Sequence, residues 1–338
     1  MLGPWLEQEF GEKTIKLSLD GGFTCPNRDG TCGTGGCSFC SERGSGDNAS
    51  MLFGANPPEG SSNIEYGAFN NTANIQNAIS DQFSLLSDKW PNAKSFIAYF
   101  QNYTGTYAST ERLRELYYVA LTQPHVRGLA IATRPDCLPE ETLDLLDEIN
   151  QKHFLWVELG LQTTNDKTAE SFGRGYKTAV YHEAVRELTK RNIKVVTHLL
   201  LGLPEEMRED ILQTLSDVIA PIAIDCNSQV TSQSENNSPS PPHIWGLKFH
   251  LLNIVKGTRL AEELPEYVPF DSPESYVSLV CDLLERTPRD IVIHRLSADS
   301  PAELLIAPKW AYRKRLIINM VNAEMASRGS YQGSLTQD

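Results

Sequence analysis

The sequence lacks the features that would place the chain in a membrane or in a secreted disulfide framework. No stretch approaches the roughly 20 consecutive apolar residues of a transmembrane helix. Residues 1–16 contain no apolar run typical of a signal peptide. Outside one short loop the only cysteines are Cys137, Cys226 and Cys281, which have no short-range partner. We therefore expect a cytoplasmic protein without membrane contact.

Positive charge is also scarce. The 338 residues carry 30 Lys and Arg against 43 Asp and Glu, a formal net charge of -13. This balance argues against a generally basic surface that coats nucleic acid, but a local basic patch could still hold such a substrate. The densest basic cluster is Lys309, Arg313, Lys314 and Arg315. It predicts either a phosphate-binding surface or a solvated helix face.

Cysteine and glycine are instead concentrated in one loop near the start, which runs Cys25-Pro-Asn-Arg-Asp-Gly-Thr-Cys32-Gly-Thr-Gly-Gly-Cys37-Ser-Phe-Cys40. Glycines let such a loop fold tightly, so that several thiolates converge on one point. Two metal sites fit this pattern: an all-thiolate zinc site, for which Cys37 and Cys40 form the clearest pair, and an iron–sulfur cluster. A disulfide pair is disfavoured by the expected compartment.

The remaining chain alternates between apolar runs and helical patterns, which predicts parallel strands joined by helices. We expect an α/β fold, a partial (β/α)6 TIM-like barrel with a C-terminal α/β extension. The predicted strands are 14–20, 95–100, 128–133, 154–160, 193–201 and 246–254, and the predicted helices are 75–90, 109–121, 139–150, 178–191 and 205–220. The cysteine loop follows the first strand, at the end where barrel loops build active sites.

Two departures from this alternation set the domain prediction. Residues 224–243 are Ser, Asn, Gln and Pro with hardly an apolar anchor, which predicts a disordered surface insertion. After the sixth strand, the patterns predict a helix at 275–286, a strand at 291–296 and a helix at 309–327. We therefore expect a barrel over 1–260 and an extension over 261–338 that packs on it.

Specific motifs resemble the radical S-adenosylmethionine (SAM) superfamily. A strand leads into a loop with an aromatic residue just before its last cysteine, Phe39-Cys40. The wider pattern is similar to the bacterial family related to the catalytic subunit of Elongator, and it extends over nearly the whole chain. Further matching segments, in the family's order, are IAYFQNYTGTYA, IATRPDCLPEE, LWVELGLQT, THLLLGLP, LKFHLLNIVKGT, IHRLSADSP and RGSYQG.

The resemblance implies a 4Fe-4S cluster held by Cys25, Cys37 and Cys40, with one iron open for SAM and Cys32 as a bystander. It further implies that Phe39 lies against the adenine and that Glu158 and Gln162 contact the methionyl and ribose groups. Arg174 is a candidate partner for the SAM carboxylate, since a guanidinium binds a carboxylate in bidentate fashion; the alternative is a surface charge at a helix end.

Strand alternation adds two candidate catalytic residues. Lys248 and His250 point to the same face of the sixth strand, while the apolar residues between them point to the other face. If the apolar set packs on helices, both basic groups face the barrel interior, where they suit an anionic substrate group. Residues 41–73 are a candidate lid.

The implied reaction is reductive cleavage of SAM to a 5′-deoxyadenosyl radical, driven by an external one-electron donor of the flavodoxin or ferredoxin type. The relationship to Elongator points to tRNA, and to the side chain at carbon 5 of the wobble uridine. The chain has no room for an acetyltransferase domain, so we expect modification of a pre-existing carboxymethylaminomethyl-type substituent. The alternatives are a radical SAM enzyme for a small metabolite or tetrapyrrole, and a non-enzymatic zinc-stabilised interaction protein.

Overall fold

Parallel strands form one curled sheet, a half-barrel, in the computed structural model, which describes residues 1–41, 44, 80–81, 83–84, 90–222, 243–298 and 300–336. The strands are β1 (Thr14–Leu19), β2 (Ser95–Phe100), β3 (Val126–Thr133), β4 (Phe154–Gln162), β5 (Lys194–Leu201), β6 (Gly246–Leu251), β7 (Ile254–Val255), β8 (Val292–Arg295) and β9 (Leu305–Ala307). The half-barrel has the order β1-β2-β3-β4-β5-β6-β8, and β7 pairs with β9 in a separate antiparallel ribbon.

Helices connect these strands. They are α1 (Leu2–Phe10), α2 (Thr110–Leu121), α3 (Glu140–Asn150), α4 (Asp166–Ser171), α5 (Thr178–Lys190), α6 (Arg208–Ile219), α7 (Arg259–Glu263), α8 (Pro273–Arg286) and α9 (Lys314–Ser327), with a 3₁₀ turn at Lys309–Tyr312. Buried residues of the longer helices form one core with the outward-facing residues of the strands. None of the helices in the described ranges is long and apolar enough to span a bilayer.

The predicted α/β partial barrel is confirmed, with one strand more than the six counted from the sequence. The additional strand is β8, whose Val292 lies opposite Gly246 of β6 in parallel register. The pattern at 291–296 predicted this strand but not its sheet, because periodicity does not identify a strand's neighbour. The sheet thus draws on residues beyond the predicted domain boundary at 260, and that boundary itself stays a prediction.

The interior of the half-barrel is closed at the amino-terminal end of the strands by α1. Leu2 and Leu6 of this helix are buried against inward-facing residues such as Ile97 and Trp156. Trp5 adds edge-to-face contact with Trp245, at 4.9 Å between ring centroids. The sequence analysis predicted no helix here, because Glu7, Gln8 and Glu9 make the start of the chain polar. The consequence is an apolar floor beneath the interior, which leaves the carboxyl ends of the strands for a site.

Some predicted segments fall largely outside the described residues. They are the helix over 75–90, the candidate lid over 41–73, the insertion over 224–243 and Cys226. The turn after β5 is described: Gly202 has φ +90, and an added Cβ would lie 2.7 Å from the ring of Phe270 and 2.8 Å from Pro269. Glycine is required there by both conformation and space.

Candidate active site

The cysteine loop leaves β1 at the carboxyl end of the sheet and turns back on itself through backbone hydrogen bonds. The carbonyl of Cys25 accepts from the amides of Arg28 at 2.8 Å and Asp29 at 3.2 Å, and the amide of Cys40 donates to the carbonyl of Cys37 at 2.9 Å. A guanidinium N–H of Arg28 donates to the carbonyl of Cys40 at 3.2 Å and thereby joins the two ends of the loop. Cys25, Cys37 and Cys40 are half-buried and line one cavity.

Cys32 lies apart from these three cysteines. Its side chain is exposed and lines a second cavity, together with Tyr107 and Cys137, on the other side of the loop. This placement agrees with its interpretation as a bystander. The separation was not deducible from spacing, because four cysteines in sixteen residues could equally surround one ion.

The donor set fits an iron–sulfur cluster. A 4Fe-4S cluster binds each thiolate through a different iron. Burial raises the pKa of the Cys37 thiol to about 12, so forming its thiolate costs free energy. Coordination to iron offsets that cost because it stabilises the thiolate. The three half-buried thiols around one cavity therefore fit the expected cluster.

All nine predicted site residues line the same cavity of about 210 Å³. They are Cys25, Cys37, Phe39, Cys40, Glu158, Gln162, Arg174, Lys248 and His250. Their elements are the cysteine loop, the strands β4 and β6, and the turn between α4 and α5. The structure thus brings these residues together, while the individual role of each stays a prediction.

Glu158 lies at the centre of a buried polar layer in the half-barrel and is fully inaccessible to solvent. Its Oε1 atom accepts from Lys16 Nζ at 3.1 Å and from Trp156 Nε1 at 2.9 Å. Its Oε2 atom accepts from Lys248 Nζ at 2.9 Å and from the Tyr99 hydroxyl at 2.6 Å. Both carboxylate oxygens are therefore already engaged by the protein, so contact with SAM requires a partner to move.

The charges in this layer set its protonation. Burial by itself raises the pKa of Glu158, but the ammonium groups of Lys16 and Lys248 outweigh burial and hold the pKa well below its usual range. Burial also lowers the pKa of Lys248 to about 7, although Glu158 opposes the change. Two lysines thus share one carboxylate in a site where unpaired charge is costly.

Three histidines complete the layer. His198 Nε2 lies 2.7 Å from Glu158 Oε2, and the His198 ring stacks on His250 with centroids 5.3 Å apart. Burial, reinforced by Lys248, lowers the pKa of His198 to about 4. Burial likewise lowers the pKa of His250 and His294 well below the usual range. All three rings are therefore neutral near pH 7, and His198 donates through its Nε2–H.

Arg174 is buried and uses every N–H of its guanidinium within the protein. It donates to the carbonyls of Tyr176, Leu161 and Thr163 at 2.7–3.0 Å, and to the side chains of Asp166 at 2.8 Å and Thr178 at 3.1 Å. These bonds fix the end of β4 against the start of α5. An external carboxylate reaches Arg174 only by replacing one of them.

Phe39 and Gln162 occupy the rim of the cavity. The Phe39 ring packs on Phe172, with centroids 5.2 Å apart, and is half-buried. Gln162 ends β4 with φ +69, a conformation that costs energy for a residue other than glycine. The positive φ turns the chain at the last residue of β4, where the Gln162 side chain lines the cavity.

The basic cluster lies outside this cavity. Arg313 and Arg315 are exposed, whereas Lys309 Nζ donates to the carbonyl of Leu305 at 2.8 Å; the Lys314 side chain is not described. The segment follows β9, which pairs with β7 directly after β6. Residues of this ribbon, Ile254 and Ala307, belong to the apolar cluster that contacts Phe39. The basic segment therefore begins two residues after a ribbon that packs beside Phe39.

Sequence reasoning missed several members of the buried layer. Lys16, Tyr99, Trp156 and His294 were not proposed as site residues, although each is in or beside the layer. A signal did exist for Lys16, a charged residue in a strand that is otherwise alternating and feeds the cysteine loop. No signal in the sequence identified its partner, Glu158, which lies 142 positions later.

The first prediction concerns the carboxylate at the centre of the layer. Glu158→Gln leaves Lys16 and Lys248 without a counter-charge, so we expect a loss of about 3–5 kcal/mol in the free energy of unfolding, measured by urea titration. Adding Lys248→Met should recover part of that loss, because it removes one uncompensated ammonium. Glu148→Gln is the matched control: this exposed glutamate also pairs with two cations, Arg114 and Lys152, and its loss should be small. Equal effects of the two glutamine substitutions would contradict the assignment.

The second prediction concerns acid stability. His198 has a folded pKa of about 4, below the value of about 6.5 in the unfolded chain. Between these values the unfolded state binds the extra proton, so stability falls as the pH falls from about 6.5 to about 4. We expect His198→Gln, which keeps a donor near the Nε2 position, to reduce this fall by about 1–3 kcal/mol. An unchanged pH dependence in urea unfolding would show that His198 is protonated normally.

Comparison with known families accounts for this arrangement. A family model described as the Radical SAM superfamily matches residues 30–218, and one described as the Radical_SAM C-terminal domain matches residues 244–327. Uncharacterized protein YtqA of Bacillus subtilis is 39% identical, over 98% of this chain and 91% of the relative. Protein YhcC of Escherichia coli is 34% identical, over 92% of this chain and 86% of the relative.

Similarity to Elongator proteins is more distant. Elongator complex protein 3 of Schizosaccharomyces pombe is 27% identical over 59% of this chain and 33% of its own length. The solved structure of the archaeal Methanocaldococcus infernus Elp3, with an N-terminal deletion, has a TM-score of 0.57 at 16% identity, over 77% of this chain and 60% of that chain. At this identity the structural likeness shows the fold alone. The two family matches, and the relatives matched over most of their length, also show the family. The cofactors of that family are a 4Fe-4S cluster and SAM. The chain belongs to the radical SAM superfamily, within a family of the YhcC and YtqA type.

Proposed function

We propose that this radical SAM enzyme modifies the side chain at carbon 5 of the wobble uridine in tRNA. The observation that carries the proposal is the single cavity that has the three cysteines in one wall and Lys248 and His250 in another. Such a cavity gives room for a substrate group between the cofactor and a set of polar side chains. Membership of the radical SAM superfamily argues against the alternative of a non-enzymatic zinc-stabilised interaction protein.

The residues of this chain would divide the work as follows. Cys25, Cys37 and Cys40 hold the cluster, which supplies one electron for reductive cleavage of SAM when an external donor of the flavodoxin or ferredoxin type reduces it. Phe39 contacts the adenine, and Gln162 contacts the ribose or methionyl group. The closed apolar floor beneath the cavity limits the access of water, which would otherwise compete with the substrate.

Several observations support tRNA as the substrate. The sequence is related to Elongator complex protein 3 over 59% of this chain. Arg313 and Arg315 are exposed, and they could hold phosphates against the acidic net charge of the molecule. Since the cavity admits only a small group, we propose hydrogen abstraction from, or trimming of, a pre-existing carboxymethylaminomethyl-type substituent.

The third prediction tests the cofactor assignment with a pair of cysteine variants. Cys37→Ala should lose the cluster and all reductive cleavage of SAM, since one of three thiolate ligands is missing. Cys32→Ala should keep iron and sulfide near four per chain, because Cys32 lies in a different cavity. The measurements are metal and sulfide content of anaerobic preparations and 5′-deoxyadenosine formation. Loss of the cluster in Cys32→Ala, or its retention in Cys37→Ala, would contradict the ligand set.

The fourth prediction tests the substrate. Nucleoside mass spectrometry of tRNA from cells with and without the gene should show a changed wobble-uridine profile, restored by the wild-type gene but not by Cys37→Ala. Binding of purified tRNA should weaken as salt rises, because phosphate contacts release counterions. An unchanged profile, together with tRNA binding that is weak and insensitive to salt, would instead favour a small metabolite or a tetrapyrrole.

A further inference from the structure

We propose that the deep end of the cavity, at Lys248 and His250, binds a carboxylate group of the substrate. The proposal deepens the proposed function by naming the chemical group that the cavity holds. It rests on that function only for the choice of nucleoside probes. Neither residue would be a catalytic residue in this role; both would position the substrate toward the cofactor.

The first argument is incomplete hydrogen bonding. His250 Nε2 is buried and has no hydrogen-bond partner in the described parts of the protein. Lys248 Nζ donates to Tyr99 and Glu158 at 2.8 and 2.9 Å, which uses two of its three N–H groups. Buried polar groups are almost always paired. Two unfilled positions that line one cavity therefore indicate a ligand, which accepts from Lys248 and from His250 in its Nε2–H tautomer.

The second argument is spacing. Lys248 and His250 are two positions apart on one strand, so their side chains leave the same face about 7 Å apart. A carboxylate between the two side chains can accept a hydrogen bond from Lys248 with one oxygen and from His250 with the other. The His250 ring is held in place by stacking on His198, which itself bonds Glu158. A site fixed in this way loses little freedom when a ligand binds.

The third argument is charge. Lys16 and Lys248 share Glu158, which leaves an excess of one positive charge when both lysines are protonated. The charges that act most strongly on Lys248 are Glu158, Lys16 and Arg295, of which only Glu158 is negative. A carboxylate carries one negative charge and would balance the excess.

The experiment compares two nucleosides that differ only in the group at issue. The cluster-loaded protein, with S-adenosylhomocysteine present, is titrated with 5-carboxymethyluridine and with 5-carbamoylmethyluridine. We expect the carboxylate to bind at least about tenfold more tightly than the amide, as for a charge-assisted hydrogen bond. Lys248→Gln should bring this ratio close to one, whereas Lys190→Gln, on the exposed end of α5, should preserve it.

Further arms separate the possible outcomes. Equal affinities in the wild type, or a ratio that persists in Lys248→Gln, would overturn the proposal. If neither nucleoside binds but acetate still binds more tightly than acetamide in a Lys248-dependent way, the carboxylate site stands and the uridine substrate fails. If Lys248→Gln weakens SAM binding tenfold and leaves the nucleoside ratio intact, the site holds the carboxylate of SAM and the proposal is wrong.

A second variant covers the case in which Lys248→Gln does not fold. His250→Phe removes the unpartnered Nε2 atom and leaves the Lys248–Glu158 pair untouched. It should reduce the ratio of carboxylate to amide affinity by several-fold while the circular dichroism spectrum stays that of the wild type. A ratio equal to that of the wild type in folded His250→Phe would contradict the part assigned to His250.

Discussion

A single buried carboxylate organises the interior of this half-barrel. Glu158 compensates Lys16 from the first strand and Lys248 from the sixth, and it also accepts from Tyr99 of the second. In an interior of low polarity none of these cations would be tolerated alone. The position of one side chain thus ties together strands that are far apart in the sequence. It also decides which polar groups the cavity can present.

The site has two parts with different origins. The part that we assign to the cofactor is built on loops: the cysteine loop after β1 and the turn that holds Arg174. The part that we assign to the substrate is built on strand interiors, at Lys248 and His250, and is fixed by packing on both faces of the sheet. The same loop arrangement can bind the same cofactor in many proteins. The inward-facing residues of the strands can differ between those proteins and so determine which substrate reacts.

Sequence reasoning recovered the elements better than their connections. The strand at 95–100 was predicted to the residue, and helix α2 within one residue of its start, because apolar periodicity and a Ser109 cap are local signals. The nine site residues were placed on elements that do meet at one cavity. What failed was non-local: the sheet to which β8 belongs, the helix α1 that closes the floor, and the partners of Glu158. The pairing of β8 with β6 joins Gly246 to Val292, and the Lys16–Glu158 pair spans 142 positions. No local pattern encodes such contacts.

The late position of β8 has a consequence for synthesis of the protein. While the ribosome is still translating α8, β6 is an edge strand, with its backbone groups toward β8 unpaired. His294, whose Nδ1 atom lies 3.8 Å from Glu158 Oε1, is also still absent. The nascent chain therefore carries an open sheet edge beside a charged, half-enclosed interior until residue 295 has emerged. Pairing of β8 would end this exposure, so the strand that completes the half-barrel also covers the open edge of β6.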